Sequence, residues 1–330
     1  MTAPRIKSKK PLIIIGIALL LILSIIATYF IILKVGEIRL RDKLSNTDDM
    51  LSGDAYSDEA DAYHNGKAYY YNKDLVNILF IGVDKENLAD NNGKQADAIY
   101  LVSADFKANK ANVMAISRNT LSDIEIYDMN GEYLDTENRQ ICLSYAYGKD
   151  ETHSSELTTK AVSRLLYDIP INGYYTVFMD SIGEIVDSVG GVSVTVPEDM
   201  TEFSPEWKKG ANVKIKGEKA ILYLTYRQDT SEQRLQRQKQ FISSFVSSAK
   251  KAVAKNISLP LNMYKKLAKN TVTDVDATSA VYLASEIMKA DFEVFQIPGQ
   301  VGFDGTYETF ETDESALYEQ VLDVFYKVKK

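Results

Sequence analysis

Residues 75–84 read Leu75-Val76-Asn77-Ile78-Leu79-Phe80-Ile81-Gly82-Val83-Asp84, an apolar run of strand length that stops at a glycine and an aspartate. Runs of this kind mark a strand buried on both faces, because a sheet covered by helices on each side leaves no solvent-facing position to alternate with. Working outward, a second strand is expected over 98–103 (Ala98 to Ser103) and a third over 111–117, with Arg118 at its end. Helical texture at 156–168 gives way to strands near 174–178 and 192–196, the latter introduced by the turn Gly190-Gly191. Helices are expected over 217–226, 232–255, 277–289 and 313–329, the last two around a strand at 292–297. Strands mixed with helices predict an α/β fold, a three-layer α/β/α sandwich with a central mixed sheet. No internal repeat is visible, and residues 251–330 are expected to complete this fold instead of forming a second domain.

The N-terminus has a different texture. Arg5, Lys7, Lys9 and Lys10 precede an uncharged apolar run from Pro11 to Leu33, broken only by Ser24 and Thr28. About 20 such residues suffice to cross a bilayer as a helix. The short cationic start favours a cytoplasmic N-terminus and an extracellular remainder. A cleaved signal peptide would have a shorter apolar region followed by small residues, whereas Tyr29-Phe30-Ile31-Ile32 is bulky. The expected organisation is therefore a cytoplasmic tail (1–10), a transmembrane helix (11–33), an extracellular stalk (34–74) and a domain (75–330). The stalk is expected to begin as a helical continuation and then turn acidic, burying little.

Composition narrows the function classes. The chain has 330 residues and a net charge of −8, and its acidic balance without a basic stripe argues against nucleic acid as a partner. One cysteine, Cys142, permits no internal disulfide, so an exported domain must be held by its core alone. Cys142 itself, between Ile141 and Leu143, reads as a packed thiol. His64 and His153 read as surface residues.

Two constellations carry candidate chemistry. Asp84 ends one strand and Asp97 precedes the next; if the strands are neighbours, both carboxylates share one sheet edge. Paired carboxylates suit Mg²⁺, which takes a few protein oxygens and completes its shell with water and phosphate; loop capping is the alternative role. Arginines gather in Tyr226-Arg227-Gln228-Asp229-Thr230-Ser231-Glu232-Gln233-Arg234-Leu235-Gln236-Arg237-Gln238. Arg234 and Gln238 lie four apart, so on a helix they share a face. Such a cluster meets either an anion or its own carboxylates, here Glu232 and Asp229. With Arg118 directed into the same edge, Arg227 and Arg234 complete a set that fits a metal-bridged diphosphate.

Ordered blocks across the chain resemble the LytR-CpsA-Psr (LCP) family. They are Asn77 to Asp84, Ala96-Asp97, Ile116-Ser117-Arg118-Asn119-Thr120, Ser144-Tyr145-Ala146-Tyr147-Gly148, Val186 to Val192, Gly217 to Tyr223, and Arg234 to Gln238. The resemblance implies a membrane-anchored phosphotransferase of Gram-positive cell-wall assembly. Such an enzyme moves a glycopolymer, as glycosyl phosphate, from a polyprenyl-diphosphate carrier to peptidoglycan. It implies Asp84 and Asp97 as Mg²⁺ ligands, with Asp84, Asp97, Arg118 and Arg227 catalytic. Arg118, Arg227, Arg234, Arg237 and Gln238 would bind the diphosphate, and the prenyl chain would lie in an apolar channel between sheet and helices. The expected partners are the polyprenyl-linked glycan, the peptidoglycan acceptor, the cell membrane and paralogous LCP proteins.

Four positions depart from that family's pattern: Gln95 and Thr225 stand where arginines are usual, Asn119 where an aspartate is, and Gln140 where a lysine is. Each charge-assisted hydrogen bond contributes on the order of 1.5–3 kcal/mol, so two missing arginines matter unless replaced. Arg237, Lys85, Lys94 or Lys239 are the candidates to replace them. The alternatives to an active transferase are a binding or scaffold protein that holds the lipid-linked intermediate, and a diphosphate hydrolase that uses water as acceptor.

Overall fold

The structure, a computed structural model, describes residues 30–43, 60–84, 94–225 and 231–328, with the side chains of 180 and 231–235 outside that description. Most of the expected membrane helix, residues 11–29, therefore lies outside the described residues. No helix among the described residues is long and apolar enough to cross a membrane.

Residues 30–43 are helical (α1). Strands β1 (Ala62–His64), β2 (Lys67–Tyr71), β3 (Leu75–Val83), β4 (Ala96–Asp105) and β5 (Lys110–Ile116) follow, then a hairpin of β6 (Leu121–Tyr127) and β7 (Tyr133–Gln140). A 3₁₀ segment (Ile141–Tyr147) leads into α2 (Glu151–Leu165), β8 (Gly173–Phe178), α3 (Ile182–Ser188), β9 (Val192–Thr195) and β10 (Asn212–Ile215). Next come α4 (Lys219–Thr225), α5 (Ser231–Lys255), α6 (Leu259–Leu267), β11 (Thr271–Thr273) and α7 (Ala277–Ile287). The chain closes with β12 (Asp291–Gln296), the hairpin β13 (Gly299–Phe303) and β14 (Glu308–Thr312), α8 (Glu314–Phe325) and β15 (Tyr326–Val328).

The central sheet runs β11-β8-β3-β4-β5-β12 and is mixed. β3 is parallel to β8 and β5 to β12, while β3–β4, β4–β5 and β8–β11 are antiparallel. Side chains alternate across a strand, so β3 feeds two cores. Leu75, Leu79, Ile81 and Val83 enter the larger one, with Ala161 and Val162 of α2 and Leu317, Val321 and Phe325 of α8. Val76 and Ile78 face the other side, toward Leu283 of α7 and Leu40 of α1. Burying each such side chain stabilises by about 1.5–3 kcal/mol, which explains why a strand with two buried faces has no polar alternation. A separate small core, around Trp207, Tyr223 and Phe241, joins α3, α4 and α5 to the β9–β10 pair.

Three differences from the sequence expectation have clear causes. Where the expected stalk (34–74) is described, it is docked on the domain. Leu40 of α1 is buried, and a Cβ on Gly36 would meet the Thr278 carbonyl oxygen at 2.2 Å, so glycine lets α1 lie against α7. β2 pairs with β15, which ends the last helix at Phe325 instead of 329 and draws residues 60–74 into the domain. The first hairpin is absent from the sequence expectation because only one of its strands alternates: β6 buries Ser122, Ile124 and Ile126, whereas β7 reads Tyr-Leu-Asp-Thr-Glu-Asn-Arg-Gln and buries almost nothing.

Candidate functional site

The site is built on an irregularity. β3 and β4 pair regularly to Gly82↔Ala98, then shift so that Val83 pairs with Ala96, leaving Asp97 as the extra residue of a bulge. Bulges re-aim side chains and terminate pairing. A Cβ at Gly82 would approach the Ala98 Cβ to 2.9 Å, so the close approach beside the bulge uses a glycine. The shift brings Asp97 to the sheet end where Asp84 follows β3.

Arg118 reaches the same end from β5. Its Nη1 donates to Asp97 Oδ1, its Nη2 donates to Gln95 Oε1, and Nη2 lies 3.6 Å from the Cys142 sulfur. Its Nε is buried with no partner among the described residues. The 3₁₀ segment fixes this corner, because the Ile141 and Cys142 N–H groups donate to the carbonyls of Thr120 and Arg118 at 2.7 and 3.1 Å. The Asp97 and Arg118 side chains are 8% and 22% exposed, a partly desolvated pair. Burial opposes the charge on Arg118, but the neighbouring Cys142 sulfur and Asp97 carboxylate outweigh it and raise its pKa. Burial pushes the Cys142 thiol up despite the nearby guanidinium, which disfavours it as a nucleophile.

The four departures each have a use. Gln95 accepts from Arg118. Asn119 Nδ2 donates to Glu308 Oε1 at 3.0 Å and Gln140 Nε2 to the Glu308 carbonyl at 2.7 Å, clamping the β13–β14 hairpin beside the edge. Thr225 Oγ1 donates back to the Ile221 carbonyl inside α4.

Of the other expected ligands, Arg227 lies outside the described residues, and only the backbone of Arg234 is described. Gln238 lies on α5 between Tyr100, whose hydroxyl donates to Oε1 at 3.2 Å, and the Leu224 carbonyl, which accepts from Nε2 at 3.3 Å. Arg237 does not join the edge. Its guanidinium is wholly buried, with Nε donating to the Tyr223 carbonyl at 2.7 Å and Nη1 paired with Glu198 at 2.5 Å. Lys94, another expected replacement cation, pairs with Glu151 at 2.6 Å, and Lys85 lies outside the described residues. Lys239, on α5, makes no ion pair among the described residues.

On the sheet face opposite the larger core lies an apolar cavity of about 620 Å³. Phe80 and Tyr175, stacked at 5.4 Å between centroids, form its floor, and Phe245, Met263 and Leu283 of α5, α6 and α7 form its walls. Phe80 is in register with Tyr100, so the cavity floor adjoins the strand position that holds Gln238. Tyr145 and Tyr147 lie with the larger core and do not line this cavity. Among the described residues no cluster of three or more His, Cys, Asp or Glu could hold a metal. The residues that could hold a metal at this sheet end are Asp97 at the bulge and Asp84 just past β3, oxygen donors of the kind Mg²⁺ would take.

The corner formed by Gln95 and Cys142 around Arg118 escaped sequence reasoning. Cys142 sits in an apolar triplet, and only the backbone stitching of the 3₁₀ segment to residues 118–120 turns its sulfur toward the guanidinium.

Comparison with known proteins agrees with the sequence resemblance. The LytR_cpsA_psr family model matches residues 38–323. The chain is 27% identical over 224 residues to the polyisoprenyl-teichoic acid–peptidoglycan teichoic acid transferase TagV of Bacillus subtilis, covering 64% of this chain and 52% of that protein. It is 25% identical over 251 residues to the transferase TagU of Bacillus subtilis, covering 74% of this chain and 75% of that one. The chain thus spans about half the length of the first of these relatives. The crystal structure of B. subtilis TagV superposes with a TM-score of 0.58 at 24% identity, covering 76% of this chain and 96% of that one. TagT bound to LI-WTA superposes with a TM-score of 0.58 at 21% identity, covering 76% and 90%. At these identities the structural likeness speaks to the fold, a mixed α/β architecture around a mixed sheet.

Proposed function

Because the chain belongs to the LytR_cpsA_psr family, we propose that it is a membrane-anchored transferase acting outside the cell. It would move a glycosyl phosphate from a polyprenyl-diphosphate carrier to peptidoglycan during wall assembly. The observation that carries this reading is the junction of two environments. A sheet end with Arg118, Asp97 and Asp84 adjoins, through Tyr100 and Gln238, an apolar cavity of about 620 Å³. An amphiphile with an anionic head and a hydrocarbon tail matches both. The names of the relatives, transferases of polyisoprenyl-linked teichoic acid, support the same chemistry.

In this reading Arg118 binds the diphosphate, because its buried Nε has no other partner among the described residues and a cation there balances phosphate charge. Gln95 and Asp97 orient its guanidinium. Arg227 and Arg234 are the further cations expected for the diphosphate; Arg227 and the side chain of Arg234 lie outside the described residues. Asp84 and Asp97 would hold Mg²⁺, which when bound withdraws charge from the phosphate oxygens. The acceptor hydroxyl oxygen attacks the phosphorus that bears the sugar, the bond to the polyprenyl phosphate oxygen breaks, and polyprenyl phosphate leaves. The hydroxyl proton passes to a carboxylate of this edge.

A second reading, a protein that holds the lipid-linked intermediate without turning it over, is favoured by one fact: Lys94 and Arg237 are committed to Glu151 and Glu198. The two separate when full-length protein is given a short prenyl-diphosphate sugar with Mg²⁺ and both binding and products are followed. Transfer of glycosyl phosphate to a peptidoglycan fragment is expected; tight binding without cleavage would establish the holding role, and release of free sugar phosphate would make water the acceptor.

A further inference from the structure

The charge of this chain is unevenly placed. From Ala249 to Asn270, across the end of α5 and all of α6, there are six lysines and no aspartate or glutamate, in a chain of net charge −8. At this end of α5, Lys251 and Lys255 line a cleft of about 460 Å³ together with Lys214 of β10. None of these three ammonium groups meets a carboxylate among the described residues. The cleft shares Val189 and Leu259 with the apolar cavity, so the cationic surface borders the hydrocarbon-lined space. Between the two helices Ile257 stands 56% exposed, an aliphatic side chain at the tip of a basic turn.

The position of this turn is as informative as its composition. Lys43, Arg39 and Gly36 of α1 meet Asp274, Asp276 and Thr278 in that order, so α1 runs antiparallel to α7. Residues 30 and 31, near the end of the apolar run, therefore lie toward the C-terminal end of α7. Lys250 donates to the carbonyl of Ala290, three residues past α7, at 2.7 Å. The final turns of α5 thus share one end of the domain with residues 30 and 31. Asp97 and Arg118 lie at the other end, since Gln238, near the start of α5, is the residue that meets Tyr100.

We propose that the α5–α6 turn is a docking face for an anionic bilayer, with Ile257 entering the interface and Lys214, Lys251 and Lys255 meeting lipid phosphates. A lipid surface is the partner that presents an apolar phase edged by many phosphates in one plane, which matches an exposed isoleucine framed by lysines that meet no carboxylate among the described residues. An acidic domain would otherwise be repelled by such a surface, so the basic turn also selects which end faces it. The apolar cavity then opens at the leaflet while the Arg118 edge points toward the wall. This inference rests on the reading of the domain as membrane-tethered, and its test separates the two.

Full-length Ile257→Trp protein is placed in nanodiscs of phosphatidylcholine, alone or with about one third phosphatidylglycerol, with acyl chains brominated to quench indole fluorescence. Trp207 is buried and gives a constant background. Quenching is expected in the anionic discs. Each of Lys214→Gln, Lys251→Gln and Lys255→Gln should lower the docked population about fivefold, equivalent to ~1 kcal/mol per lysine at a lipid surface. Raising salt from about 0.1 M to about 1 M, which shortens the Debye length from about 10 Å to about 3 Å, should reduce it further. An indole that stays unquenched in protein that has entered the discs overturns docking alone. Protein that fails to enter the discs overturns the tether and docking together. An unquenched indole whose emission responds to inorganic polyphosphate assigns the lysines to a soluble polyanion and overturns the bilayer assignment.

Discussion

Two arginines, each beside a carboxylate, show how differently one pairing can be used. Arg237 lies wholly buried against the small core around Trp207, and Glu198, the Tyr223 carbonyl and the Tyr223 ring, 5.9 Å away, surround its guanidinium. Arg118 lies at the open end of the main sheet, partly exposed, and keeps a buried Nε without a partner among the described residues. The first arrangement closes on itself and fastens α5 to α4. The second holds an arginine in a fixed pose with binding capacity unspent. Both residues belong to blocks that resemble one family, so motif membership alone assigns them alike.

The contrast breaks if the wrong arginine proves dispensable. Arg237→Ala leaves Glu198 without its buried partner and should destabilise the fold by about 3–5 kcal/mol, read by denaturant unfolding, with activity lost only as the fold is lost. Arg118→Ala should destabilise less than Arg237→Ala, because the Arg118 side chain is 22% exposed and that of Arg237 is wholly buried, while lowering glycosyl-phosphate transfer by roughly 10²–10³ in protein that stays folded, the usual consequence of removing one preorganised donor. A stable but inactive Arg237→Ala protein, or an unfolded Arg118→Ala protein, would reverse the two roles.

Gln95→Ala sharpens the comparison, since it removes a support of Arg118 and leaves Asp97. Transfer is expected to fall about tenfold, near the lower bound for a hydrogen bond to a charged group, with unfolding unchanged.

The smallest effect belongs to a third, exposed pair, Arg39 with Asp276 at 3.1 Å. Asp276 also caps α7, accepting from the Thr278 and Ser279 N–H groups at 2.9 and 3.3 Å. Partial burial raises its pKa, but hydrogen bonds from Ser279 and Thr278 outweigh that and hold it well below the usual carboxylate range. A depressed pKa contributes stability above the unfolded value of about 3.9 and loses it as pH falls from there through the folded value. Asp276→Ala should therefore cost about 1 kcal/mol at neutral pH, and the difference from the parent protein should shrink on acidification below about pH 4.

How legible these features are in the sequence follows from what each buries. β3, β4 and β5 are legible because each commits both faces to apolar neighbours, and a run such as Leu75 to Val83 has few other uses. β7 is not legible, because Tyr133–Gln140 is held by β6 alone and keeps its side chains in water. At the site, Asp84, Asp97 and Arg118 can be placed from strand ends once adjacency is assumed. The bulge that frees Asp97 leaves no periodic trace. The resemblance assigns Arg237 to the diphosphate together with Arg234 and Gln238, yet the helical turn that points Gln238 to Tyr100 points Arg237 into the small core. A shift of one residue along a helix rotates the side chain by about 100°, enough to exchange a ligand for a structural pin.

The pairing of β15 with β2 has a consequence for the order in which this protein can be made. Tyr326 lies opposite Tyr71, the Asn72 N–H donates to the Phe325 carbonyl at 2.8 Å, and α8 fills one side of the larger core. While residues 314–328 are still being synthesised, one face of the sheet lacks its cover and β2 has only β1 beside it. The fold can close only after nearly all of the described chain has emerged. That long sequence separation predicts slow, all-at-once completion, with an interval in which the uncovered sheet is open to chaperones and proteases.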